Sequence, residues 1–139
     1  MNTPKSVLIR KSIEQAVHTQ VNQQQLKEQL LGYVGYHAEQ GLPFGELLVL
    51  HYNQFNGIAT EEIYAVAAAV EALILSFDML DDFEDEDCTD KPWSTQTNLA
   101  LNSTTALLFL SVDAIRATDF PNKDQAIAIL IHYSLRSIN

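Results

Sequence analysis

The chain has 139 residues, enough for one compact domain with a sizeable core, and 47% of them are hydrophobic. A net charge of −10 argues against a nucleic-acid partner, which needs basic surface. The single cysteine, Cys88, excludes an internal disulfide and any zinc site built on several thiolates. Residues 1–5 lack the apolar stretch of a signal peptide. Glu71 interrupts the longest apolar run, so no clean transmembrane span is expected. These features lead to the expectation of a cytoplasmic, soluble chain, peripheral to the membrane if it meets one.

The periodicity is helical throughout. Leu8, Ile9, Ile13, Val17 and Val21, and then Leu26, Leu30, Leu31 and Val34, recur at three- and four-residue steps. They predict one amphipathic helix or a broken pair, with the weak point at Val21-Asn22-Gln23. Gly41-Leu42-Pro43 is a break. A short helix is expected over 44–55, with Phe44, Leu47, Leu48, His51 and Phe55 on one side, stopped by Asn56-Gly57. Thr60-Glu61-Glu62 opens the next helix, a capping residue followed by acids in the favourable first turn. That helix should run to about Asp85 and, being apolar nearly all round, lie buried at the centre. Lys91-Pro92-Trp93 punctuates. A mostly apolar helix is expected over 97–117, and Asp119-Phe120-Pro121 starts a last one reaching about Arg136. The expected architecture is five or six antiparallel helices in an all-α bundle. Residues 127–137 read as a helix in progress with no closing signal, so the chain is expected to be the N-terminal half of a longer catalytic domain.

The charge is not evenly spread. Eight of the 18 acids fall within residues 78–90, leaving ten acids against seven bases outside residues 78–91. At a helix C-terminus each such carboxylate is disfavoured by roughly 0.3–1 kcal/mol. Neighbouring carboxylates repel one another by a further amount on the order of 1 kcal/mol or more. A divalent cation would reverse the sign of that field. Helical spacing aligns Asp78, Asp82 and Asp85 and puts Asp81 one turn from Asp85, so three carboxylates can share one volume. A hard cation such as Mg²⁺ takes oxygen ligands and keeps room for a substrate's phosphates. The plain alternative is a solvated charge run.

The stretch Val70-Glu71-Ala72-Leu73-Ile74-Leu75-Ser76-Phe77-Asp78-Met79-Leu80-Asp81-Asp82-Phe83-Glu84-Asp85 resembles the first aspartate-rich motif, DDxxD, of the trans-isoprenyl diphosphate synthases. Those are all-α enzymes that carry the motif at the end of a long buried helix. The resemblance implies that Asp81 and Asp85 bind Mg²⁺ with Asp82 in support, as catalytic residues that hold an allylic diphosphate and assist its departure. It also implies that Phe77 bounds the prenyl tail, favouring a geranyl or farnesyl donor, unless Phe77 is plain core. Lys91 either binds the donor diphosphate or pairs with Asp87 or Asp90.

The departures from the family are informative. Its GKxxRP segment, which grips isopentenyl diphosphate, falls on Gly41-Leu42-Pro43-Phe44-Gly45-Glu46, where Leu42 and Gly45 replace the Lys and Arg. Ile74 stands where the family places a His. The donor site is kept and the second diphosphate site is erased. This pattern resembles the bacterial branch that prenylates a tryptophan of a competence pheromone precursor for cell-density signalling. The expected partners are therefore an allylic diphosphate and a pheromone precursor peptide, with self-association or docking to the missing C-terminal half. Rival readings are a short-chain isoprenyl diphosphate synthase with a degenerate acceptor site, and a non-catalytic helical subunit. His51 reads as a core or surface histidine, Cys88 as unreactive among acids, and Trp93 as packing. His18, His37 and His132 have no companion at ligand spacing.

Overall fold

The computed structural model describes residues 3–55, 57–58, 60–86 and 90–138, and it is all-helical among them. Six helices follow in order: α1 (Lys5–Gln20), α2 (Gln24–Glu39), α3 (Pro43–Gln54), α4 (Glu61–Asp85), α5 (Thr97–Arg116) and α6 (Lys123–Ser137). The break at residues 21–23 is observed. Val21 turns extended and buries its side chain, and the Gln23 side chain accepts the Leu26 N–H to cap α2. Residues Asn56, Asp87 and Cys88, weighed above, lie outside the described residues.

Helix α4 is the central element, as its composition predicted. It packs most extensively on α5 and also on α1, α3 and α2. Its buried residues Ile63, Ala67, Ala68, Ala72, Leu75 and Met79 share one core with Ile9, Ile13 and Val17 of α1. Leu30 and Val34 of α2, Val49 of α3 and Ala100 and Leu107 of α5 complete it. The run of alanines removes side-chain bulk, so neighbouring helices come close. Ser76 Oγ uses that proximity to donate to the Thr104 carbonyl of α5 at 3.3 Å. Every buried side-chain nitrogen and oxygen among the described residues has a hydrogen-bond partner.

Of the apolar residues expected on one side of α3, Leu48 packs against the core, while Phe44 and Leu47 are half exposed and Phe55 almost wholly so. Gly45 and Val49 face the core, because a residue without a side chain lets α3 lie directly on α4. A Cβ on Gly45 would stand 3.1 Å from Glu71 Cγ, 3.1 Å from Ile9 Cδ1 and 3.2 Å from the Ala67 carbonyl oxygen. Helices α4 and α5 are both long and apolar enough to cross a membrane by length and composition, with Glu71 inside α4. Both also supply core residues to the bundle.

Helix α6 lies at the edge and buries none of its residues. Ile129, Ile131, Tyr133 and Leu135 on it, and Phe109 on α5, are exposed.

Gly45→Ala should destabilise the chain by about 1–3 kcal/mol, read as a lower urea midpoint, because the added methyl has backbone on one side and two core side chains on the other. The same change at Gly32, which has open space around it, should be neutral or stabilising.

Candidate active site

The inner wall of the site is built on Glu71. Its carboxylate is fully buried, yet three donors from two other helices meet it. Oε1 accepts the N–H groups of Phe44 and Gly45, both at 3.1 Å, and Oε2 lies 3.0 Å from His37 Nε2. The reason is local. Helix α3 starts with Pro43 after Leu42, whose side chain cannot cap it, so the first-turn N–H groups would be orphaned. A carboxylate from α4 supplies the cap in trans, where the positive end of the α3 dipole also favours it. His37 thus gains a partner 34 residues away in sequence.

The acids stand about two to four turns further along α4. Asp82 is half-buried and committed: its Oδ2 accepts from Lys91 Nζ at 2.7 Å and from Trp93 Nε1 at 2.9 Å. Trp93 is itself buried, with the rings of Tyr33 and Tyr36 edge-on to it at 5.9 and 5.5 Å. The hydrogen bond to Asp82 holds the Lys91 ammonium above its ordinary value. Asp78, Asp81 and Asp85 are exposed. Partial desolvation pushes the Asp78 carboxyl above its ordinary value; His37 and Lys91 oppose that, and Asp82 and Asp81 add to it. Glu86 closes α4 in the left-handed conformation, and Asp90 and Gln96 share it, so the chain doubles back and brings Lys91 and Trp93 onto the helix end.

The structure thus separates residues that the sequence grouped. Lys91 pairs with Asp82 rather than with Asp90, and Asp87 lies outside the described residues. Asp82 turns to Lys91 and Trp93, and Asp81 and Asp85 accept no hydrogen bond from the described residues. Phe77, one turn before Asp81, lines an apolar pocket of about 280 Å³ together with Leu73, Leu80, Leu108, Leu130 and Leu135, between α4, α5 and α6. His51 is exposed and its ring bonds the Leu47 carbonyl of its own helix. His37 and Trp93 are the residues that sequence reasoning passed over. The Glu71 that aligned with the family motif was the available signal for His37, since a buried carboxylate demands donors.

Among the described residues no three His, Cys, Asp or Glu side chains converge on one point. That does not disqualify Mg²⁺, which is commonly held by one or two carboxylates plus substrate phosphates and waters rather than by an all-protein cage. The donor set offered by Asp81 and Asp85, exposed hard oxygens with no hydrogen-bond partner among the described residues, fits that mode.

The fold is an all-α bundle of the isoprenyl synthase type. The chain is related over almost its whole length to the N-terminal part of the tryptophan prenyltransferases ComQ. It is 31% identical over 134 residues to the ComQ of Bacillus subtilis subsp. natto, an alignment covering 96% of this chain and 41% of that protein. It is 34% identical over 104 residues to the ComQ of Bacillus spizizenii, covering 74% and 37%. The ComQ of Bacillus subtilis strain 168 is 27% identical over 104 residues, covering 74% and 34%. The chain therefore spans about two fifths or less of the length of these curated relatives. No family model matches it, and no solved structure does.

Two outcomes follow from the geometry. Glu71→Ala should cost about 3 kcal/mol or more in urea unfolding, because it orphans His37 and two backbone N–H groups; Glu71→Gln, which keeps an acceptor oxygen, should cost less. Asp78→Asn should stabilise the chain at pH 7. The raised native value means that the penalty is absent while Asp78 is protonated in both states and is fully present above its native value. The gain should vanish near pH 3, and a gain that persists there would refute the assignment.

Proposed function

We propose that the protein to which this chain belongs is a Mg²⁺-dependent prenyltransferase that moves an allylic group from its diphosphate to a tryptophan of a pheromone precursor peptide. The observation that carries this reading is the paired arrangement at the end of α4. Asp81 and Asp85 stand exposed without a described partner, one and two turns further along α4 than Phe77, which lines an apolar pocket. An anionic helix end that follows an apolar pocket-lining stretch suits a ligand with a charged head and a hydrocarbon tail. The relatives are tryptophan prenyltransferases, which supports the acceptor.

Asp81 and Asp85 would hold Mg²⁺, which supplies the charge that offsets the departing diphosphate. Asp82 would keep the last turn of α4 in place through Lys91 and Trp93. Phe77 and Leu73 would shape the tail pocket. Glu71 occupies the N-terminus of α3, where the backbone N–H groups of Phe44 and Gly45 would otherwise be open to a second diphosphate. Lys91, the nearest cation on the sequence, is engaged with Asp82. An uncharged acceptor such as an indole ring meets neither obstacle. The reaction breaks the allylic C–O bond, forms a bond from the allylic carbon to the indole, and releases one proton from the acceptor. In this reading the protein works in the cytoplasm.

The test is incubation of the full-length protein with labelled geranyl or farnesyl diphosphate, Mg²⁺ and a tryptophan-containing precursor peptide. Labelled peptide is expected, and both Asp81→Ala and Asp85→Ala should lower its formation at least 100-fold, as expected when a catalytic charge-neutralising group is lost. Product only with isopentenyl diphosphate as acceptor would replace the peptide reading with a chain-elongating one. Phe77→Ala should shift donor preference towards longer tails if that pocket holds the tail.

A further inference from the structure

Two donors converge on one oxygen of Asp82: the charged Lys91 Nζ at 2.7 Å and the neutral Trp93 Nε1 at 2.9 Å. They differ in kind. Lys91 sits about one-third exposed on a flexible stem, whereas the Trp93 ring is buried and wedged edge-on against Tyr33 and Tyr36 of α2. Lys91 also lies against the Trp93 ring, 5.7 Å from its centroid. The rigid donor is therefore the tryptophan. It ties the last turn of α4 to α2 at the one place where that turn most needs a tie. Asp81, Asp82, Glu84, Asp85 and Glu86 crowd the negative end of the helix, and α4 closes on a non-glycine residue in the left-handed region. Repulsion there favours fraying of the turn that carries Asp81 and Asp85.

We propose that Trp93 is a positioning residue for the cation site: by donating its indole N–H to Asp82 it holds the α4 C-terminal turn in register, so that Asp81 and Asp85 are set before a cation and diphosphate arrive. The proposal rests on the reading of Asp81 and Asp85 as cation ligands. Outer groups that fix ligand geometry are worth about 10–100-fold in metal affinity, and Trp93 acts at one remove, through the residue between the two ligands.

The N–H can be removed alone by site-specific incorporation at position 93 of the benzothienyl analogue of tryptophan, which exchanges that N–H for sulfur and keeps the ring's shape. The full-length protein is titrated with Mn²⁺ in the presence of inorganic diphosphate, and free Mn²⁺ is followed by its electron paramagnetic resonance signal. Unfolding in urea is followed in parallel by circular dichroism. The expected result is Mn²⁺ binding to the unmodified protein, its loss in Asp81→Ala, and about tenfold weaker binding in both the analogue and Trp93→Phe at folding-competent urea concentrations. Affinity within twofold of the unmodified protein, or tighter, overturns the positioning role even if the urea midpoint falls, because a merely structural tryptophan would give that pattern. Absence of Mn²⁺ binding in the unmodified protein, or unchanged binding in Asp81→Ala, removes the cation reading itself and the proposal with it.

Discussion

A carboxylate with no access to water sits at the junction of three helices, and the bundle is arranged around satisfying it. Glu71 on α4 takes the two first-turn N–H groups of α3 and the imidazole of α2. An unpaired charge in that position would be several kcal/mol unfavourable, so α2, α3 and α4 have one mutual placement that is acceptable. The consequences propagate. α3 must approach α4 closely enough for its backbone to reach the carboxylate, which only Gly45 allows. That approach turns the Gly45 and Val49 side inward and leaves the bulkier Phe44 and Leu47 outside. It also brings His37, and with it Tyr33 and Tyr36 of the same helix, alongside the acidic end of α4.

The second organising interaction follows from the first. With α2 fixed, its two tyrosines form the wall on which Trp93 packs, and Trp93 in turn reaches Asp82. The acidic end of α4 is thereby divided in function. One carboxylate is absorbed into the protein and anchors the returning chain. Others remain solvent-facing, and partial desolvation raises the Asp78 carboxyl among them. A stretch that tolerates local repulsion next to a well-satisfied buried network has the character of a binding site, where stability has been traded for charge placement.

How much of this could be read from residues alone varies by element. The break at residues 21–23, the α3 start at Pro43, the long α4 and the acid run were legible because they depend on local chemistry: turn residues, proline, hydrophobic period and helix-end charge. The burying face of α3 was not. Both of its sides carry apolar residues, and periodicity cannot rank them; the deciding factor was a glycine's lack of bulk against a particular neighbour. His37 looked solitary because its partner lies 34 positions away, and Trp93 looked like packing because its N–H acceptor is on the preceding helix. Lys91 was seen as a neighbour of acids, but which acid depended on the left-handed residues Glu86 and Asp90, whose conformations no propensity specifies.

The sequence by itself determined the all-helical class, the central helix and the placement of a carboxylate cluster at its end, since each arises from interactions among residues within a few turns of one another. Only the tertiary structure decided which carboxylates stay free and which are bound into the protein. Hydrogen bonds between distant segments set that division, and their geometry exists only once α2, α3 and α4 are packed together.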